Sequence, residues 1–159
     1  MAFKVRLLTI NDMDEAAKVH RQSFDERLPS LAGLHTPEED RDFFRTHLFD
    51  RCEVWGAVDG RLVGLIAFAN EWIEQLYILP DWQGQGIGKA LLDIAKSKCP
   101  ALRLWTFQQN QQARQFYERN GFVSMVRTDG LGNEEKAPDI LYAWAGRGRT
   151  DLQADTTVL

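Results

Sequence analysis

The chain has 159 residues, 44% of them hydrophobic and 26% charged, with a formal net charge of -4. That balance fits one globular domain able to bury roughly two-thirds of its unfolded surface, rather than a disordered or membrane protein. The acidity argues against nucleic-acid binding, which needs a basic face to release counterions. No apolar run approaches a membrane span and the amino terminus lacks the apolar core of a signal peptide, so the expected compartment is the cytosol.

In chain order, alternation over Phe3 to Thr9 predicts a strand, and Asn11-Asp12 predicts the cap of a helix running to about Phe24. The stretch DERLPSLAGLH reads as a loop that could border a substrate site. A second helix follows from Pro37 to about Phe49, with proline in its first turn. Cys52 to Val58 and Arg61 to Ala69 read as a hairpin joined by Asp59-Gly60, a pair that favours a type I′ turn. Cys52 and Cys99 form no CxxC pair and have no histidines at metal-ligand spacing around them, which predicts reduced, buried thiols and no metal.

A third strand is expected from Trp72 to Leu79, stopped by Pro80 and leading into QGQGIG. Ile87, Ala90, Leu91, Ile94 and Ala95 recur at helical spacing and predict a helix ending near Lys98. Leu102 to Phe107 reads as a strand and Asn110 to Asn120 as a helix closed by Gly121. Phe122 to Thr128 and Ile140 to Ala145 are the last expected strands. One domain over 1–146 is expected, with a polar, frayed tail over 147–159.

Glycines between a strand and a helix let backbone N–H groups converge on a phosphate where the helix dipole is positive. Spacing narrows the ligand. A P-loop needs GxxxxGK followed by Ser or Thr, but the residue five before Gly88 is Gln83, and Lys89 is followed by Ala90. A dinucleotide fingerprint needs GxGxxG, but from Gly84 the sixth position is Lys89.

The pattern (Gln or Arg)-x-x-Gly-x-(Gly or Ala) is met by Gln83, Gly86 and Gly88, and here the sequence resembles the GNAT superfamily of N-acetyltransferases. LYILPDWQGQGIGKALL is similar to the family's acetyl-CoA motif over its whole strand-turn-helix. Asn110, Ala113, Tyr117 and Gly121-Phe122 in NQQARQFYERNGF resemble its second motif. With the order of elements, the likeness covers roughly Phe3 to Ala145. It implies an α/β fold: a mixed, mostly antiparallel sheet of about six to seven strands flanked by about four helices.

The resemblance also implies acetyl-CoA as co-substrate, with Gln83, Gly84, Gln85, Gly86, Ile87, Gly88 and Lys89 around its pyrophosphate and the backbone of Leu76, Tyr77, Ile78 and Leu79 along its pantetheine arm and thioester. Asn110 is read either as a pantetheine contact or as a plain helix cap. Direct attack by an amine is implied, so neither cysteine is needed as a nucleophile. The chemistry needs a base for the incoming ammonium and an acid for the departing thiolate.

Tyr117 is the candidate acid and a member of the coenzyme site, against the alternative of a packed aromatic beside Phe116. A phenol with pKa about 10 stays protonated at neutral pH. Glu74, sharing a strand face with Trp72, is the candidate base, against the alternative of an exposed strand residue. Glu71 is the fallback. His35 lies in the expected substrate loop, where a lone histidine is usually only solvated.

The acceptor is expected to be a primary amine of a small molecule or peptide. The alternatives are protein amino termini or lysines, or a module that binds acyl-CoA without turnover. The late strands are candidates for pairing across a homodimer.

Overall fold

The computed structural model describes residues 2–146, so the expected tail over 147–159 lies outside the described residues. The chain divides into two compact units after Ala95.

The first unit carries β1 (Lys4–Leu7), β2 (Glu53–Val58), β3 (Leu62–Ala69) and β4 (Trp72–Ile78), each antiparallel to the next. β3 is buried from Leu62 to Phe68, on both faces, as its unbroken text LVGLIAF requires. The β2–β3 hairpin forms where expected, but its turn is not type I′. Residues 59–61 connect the strands, and of this trio only Gly60 has a positive φ, +70°. A register shift at Ala57/Val58 absorbs the extra residue. The turn with positive φ at both central residues instead joins β3 to β4, at Asn70 (54°) and Glu71 (67°).

A 3₁₀ turn at Ile10–Asp12 leads into α1 (Met13–Arg27), which buries Met13, Ala16, Ala17, Val19, Ser23 and Phe24. The Asp12 carboxylate accepts from the Thr9 backbone N–H at 2.8 Å and pairs with Arg6 at 2.9 Å. The Arg6 guanidinium pushes its pKa down to about 2. α2 (Pro37–Phe43) opens on a capping box between Thr36 and Glu39. It continues through a π turn (Phe44–Leu48) into the short α3 (Phe49–Arg51), two residues beyond the expected end. Arg21 holds Asp40 through two bonds of 2.8 Å, with Asp40 only 7% exposed, and so ties α1 to α2.

His20 of α1 lies among Phe24, Phe44 and Tyr77, the last edge-on at 4.5 Å, and its Nδ1 is buried without a hydrogen-bond partner. Burial pushes its pKa down to about 4, with Arg21 adding repulsion. Below pH 6.5 the unfolded chain takes up a proton that the folded chain refuses. Stability should therefore fall by about 3 kcal/mol as pH drops from 6.5 towards 4. Asp12 loses its contribution only below pH 3.8 and leaves this window clean. Urea unfolding at pH 7.5 and 4.5 should show the loss in the wild type and most of it gone in His20→Phe. An equal loss in both would clear His20.

The second unit carries β5 (Ala101–Phe107), α5 (Gln111–Arg119), β6 (Val123–Arg127) and β7 (Asp139–Ala145), with the strands ordered β5-β7-β6 and both pairs antiparallel. β7 is buried from Ile140 to Ala143. The Asn110 side chain caps α5 by accepting from the Ala113 N–H at 3.2 Å, and Gly121, φ +89°, closes it as expected. Among the described residues there are thus seven strands and, besides short 3₁₀ turns, four helical segments: α1, the continuous α2-π-α3 rod, α4 (Ile87–Lys98) and α5.

Candidate active site

After β4, the Leu79 N–H donates to Val63 C=O at 2.8 Å, and Pro80–Trp82 form one 3₁₀ turn. Gly84 (φ 78°) and Gly86 (φ 85°) then bend the chain through the left-handed region that other residues resist. A Cβ on either would meet nothing within 4 Å, so this turn is open, not a packing contact. The Ala90 N–H donates to Gly86 C=O at 3.0 Å, which makes Gly86 the cap of α4. Its own N–H and those of Ile87, Gly88 and Lys89 are the ones an α-helix leaves without intrahelical partners. The apolar stripe is buried at Ile87, Leu91 and Ala95 and adds Leu92.

The Gln83 side chain points inward. Its Nε2 donates to Ile78 C=O at 3.0 Å, and its Oε1 accepts from Arg27 of α1. Ser23 Oγ donates to the same carbonyl at 3.1 Å. Gln83 and Ser23 therefore brace the exit of β4 against α1, and nothing in the linear sequence marks Ser23 as a partner of Ile78 C=O or Arg27 as a partner of Gln83. Gly64 of β3 is a third residue that sequence reasoning missed. A Cβ there would lie 2.8 Å from Ile78 Cδ1, 3.2 Å from Tyr77 C=O and 3.3 Å from Ile87 Cγ2, so glycine lets the β4 segment and the start of α4 come close. Gln85 Nε2 reaches Asp81 C=O at 3.4 Å, and Lys89 pairs with Asp93 at 2.8 Å on the exposed face.

Glu74 is the extra residue of a β-bulge. Ala67 faces Gln75 and Phe68 faces Ile73, so Glu74 has no residue opposite. Trp72 and Glu74 line one cavity of about 320 Å³ with Arg51, Cys52, Ala69 and Asn70. Glu74 Oε1 lies 3.2 Å from Arg51 Nη2. Neither Cys52 nor Cys99 is in a disulfide, and both are half-buried, not buried as expected. Burial and then the Glu74 charge push the Cys52 thiol up to about 11. Glu71 sits in the β3–β4 turn. His35, partly exposed, lies 3.8 Å from Glu39 in the α1–α2 connection.

In the second unit Tyr117 is 7% exposed, its ring against Phe116, Phe122 and Tyr142. The Tyr142 hydroxyl donates to Glu118 at 2.7 Å and accepts from Arg114 at 3.4 Å, and burial raises its pKa. Among the described residues no group of three His, Cys, Asp or Glu is placed to share a metal ion, and no helix is long and apolar enough to cross a membrane.

A strand that ends in an open glycine turn at a helix amino terminus presents a row of backbone N–H groups of the kind that can receive an anion. Residues 50–124 match the acetyltransferase (GNAT) domain family. An uncharacterized N-acetyltransferase of Mycobacterium bovis is 32% identical over 145 residues, 77% of this chain and 91% of that protein. The peptidyl-lysine N-acetyltransferase YjaB of Escherichia coli is 28% identical over 149 residues, 91% of this chain and 100% of that one.

The solution structure of apo YjaB superposes with TM-score 0.75 at 26% identity, covering 92% of this chain and 99% of that chain. The PaiA N-acetyltransferase of Thermoplasma acidophilum, in complex with coenzyme A, superposes with TM-score 0.67 at 25% identity, covering 91% and 99%. The chain belongs to the GNAT family of N-acetyltransferases. It is an acetyl-CoA-dependent enzyme that acetylates an amine, on the α/β fold the resemblance implied.

Proposed function

We propose that acetyl-CoA lies with its pyrophosphate on the backbone N–H groups from Gly84 to Lys89 and its pantetheine arm along Leu76–Leu79, and that an amine attacks the thioester directly. The observation that carries this reading is the open turn at Gly84 and Gly86 on the amino end of α4. Acetyl-CoA at a hundred times its Kd should raise the melting temperature by about 5–10 °C, since only the native state binds it. Unchanged melting with acetyl-CoA, and a shift with ATP or NAD instead, would overturn the assignment.

In the reaction proposed, Glu74 takes a proton from the ammonium, directly or through water. The amine nitrogen then forms the C–N bond, the C–S bond breaks, the thiolate receives a proton from the Tyr117 phenol, and the second proton shed by the new amide nitrogen returns to the phenolate through water. Asn110 is assigned to the helix cap first, which fits its bond to Ala113. Glu74→Gln should lower the rate on the order of tenfold below neutral pH, where the amine most needs its proton removed, with coenzyme affinity little changed. The pair it breaks with Arg51 is exposed and contributes at most about 1 kcal/mol, so the variant should fold. A pH profile unchanged in shape and height would exclude Glu74 as the base.

The lysine side chain of a protein is a second reading of the acceptor, favoured by the name of the YjaB relatives. A cytosolic setting is kept as part of this reading, and the exposed Val123 on edge strand β6 makes that strand the candidate for pairing in a homodimer. The net charge of -4 fits partners other than nucleic acid.

A further inference from the structure

The cavity at the β3–β4 turn is small, about 320 Å³, at the low end for a small-molecule site and far too small for a coenzyme. Its lining carries one guanidinium and one carboxylate, Arg51 and Glu74, whose closest atoms are 3.2 Å apart. They come from unrelated places in the chain. Arg51 ends α3, and Glu74 is thrown out of the β4 ladder by the bulge. Trp72 and Ala69, paired across the ladder, supply apolar lining, and Asn70 is a further polar residue of the lining.

A pocket that offers both charges side by side suits a molecule that carries both, close together. We infer that this cavity is the acceptor site and that it recognises a free α-amino acid, with the ammonium on Glu74 and the α-carboxylate on Arg51. The inference rests on the reading of Glu74 as the base and adds the class of amine. A lone amine would have to compete with Arg51 for Glu74 and leave the guanidinium without a counter-ion. A zwitterion replaces one ion pair by two. Arginine suits the carboxylate because its planar fork bonds both oxygens, whereas lysine is a point charge. The carboxylate end gives recognition, and the ammonium end gives up its proton to Glu74 before its nitrogen forms the C–N bond. A lysine side chain within a protein has no carboxylate near its amine and cannot use Arg51 in this way.

The test measures kcat/KM for acetyl transfer, by release of coenzyme A thiol, with the neutral L-amino acids, their carboxamides and an amino-terminally blocked lysine peptide. Each is assayed with wild type, Arg51→Ala and Arg51→Lys. Dividing the amino-acid value by that of its amide gives a preference. Comparing that preference between enzymes cancels the different basicities of the two amines. It should fall by about tenfold or more in Arg51→Ala, from loss of a charge-assisted pair, and by less in Arg51→Lys. Arg51 is 67% exposed, so both variants should melt as the wild type does.

A preference equal in all three enzymes, or a blocked lysine peptide faster than every free amino acid, would overturn the amino-acid assignment while acetyl-CoA binding and turnover stand. If acetyl-CoA fails to raise the melting temperature and no amine is acetylated, the underlying reading falls, and this one with it.

Discussion

Tyr117→Phe should lower kcat by about a hundredfold or more while leaving acetyl-CoA affinity nearly unchanged. The ring contacts of Tyr117 are with Phe116, Phe122 and Tyr142, and phenylalanine keeps all three. Loss of the hydroxyl should cost no more than about 1.5 kcal/mol of stability. What phenylalanine cannot do is protonate the departing thiolate, and a positioned acid contributes about 10² to 10⁴ in rate. Single-turnover kinetics, with chemistry limiting, separates this loss from slow product release. An acyl donor whose thiol has a lower pKa should recover part of the deficit, because a better leaving group depends less on the acid. Wild-type rates in Tyr117→Phe would assign the residue to the aromatic cluster of the second unit.

Gly88→Val should abolish the stabilisation by acetyl-CoA without unfolding the protein. Gly88 has no positive φ and lies in the first turn of α4, where valine is a better helix former than glycine by a few tenths of a kcal/mol. Its melting temperature without ligand should therefore stay level or rise. A branched side chain beside the free N–H groups would keep phosphate from them. Losing two charge-assisted bonds corresponds to a hundredfold or greater rise in Kd, at about 1.5 kcal/mol or more each. Gly86→Val should behave differently. Its φ of 85° strains any β-branched residue, so this variant should lose coenzyme binding and about 1–2 kcal/mol of stability together. Titration calorimetry with coenzyme A, alongside melting, reads both quantities. A Gly88→Val protein that binds as the wild type does would reduce the glycines to a turn.

The sequence alone determined the family and nearly every element, because those signals are local. Gln83, Gly86 and Gly88 stand within six residues, helix and strand periods run over a single element, and Asn110 and Gly121 mark the two ends of α5 by backbone chemistry at those positions. Where local preference was the only guide, it misplaced a turn. Asp59-Gly60 favours type I′, yet that geometry belongs to Asn70-Glu71, where strand register overrides the preference of glutamate.

Tertiary structure decided the rest. A period of two reports the face a residue takes only while the ladder is regular, and the bulge that leaves Glu74 without an opposite residue has no linear signature. Arg51 is 23 residues from Glu74, and only folding makes them a pair. Gln83 is read from a linear motif, but the partners of its side chain, Ile78 C=O and Arg27 of α1, are set by folding. His20 carried no sequence signal, yet its Nδ1 is buried and its pKa is pushed down to about 4, because burial is set by what packs around a helix, and Phe44 and Tyr77 come from other elements.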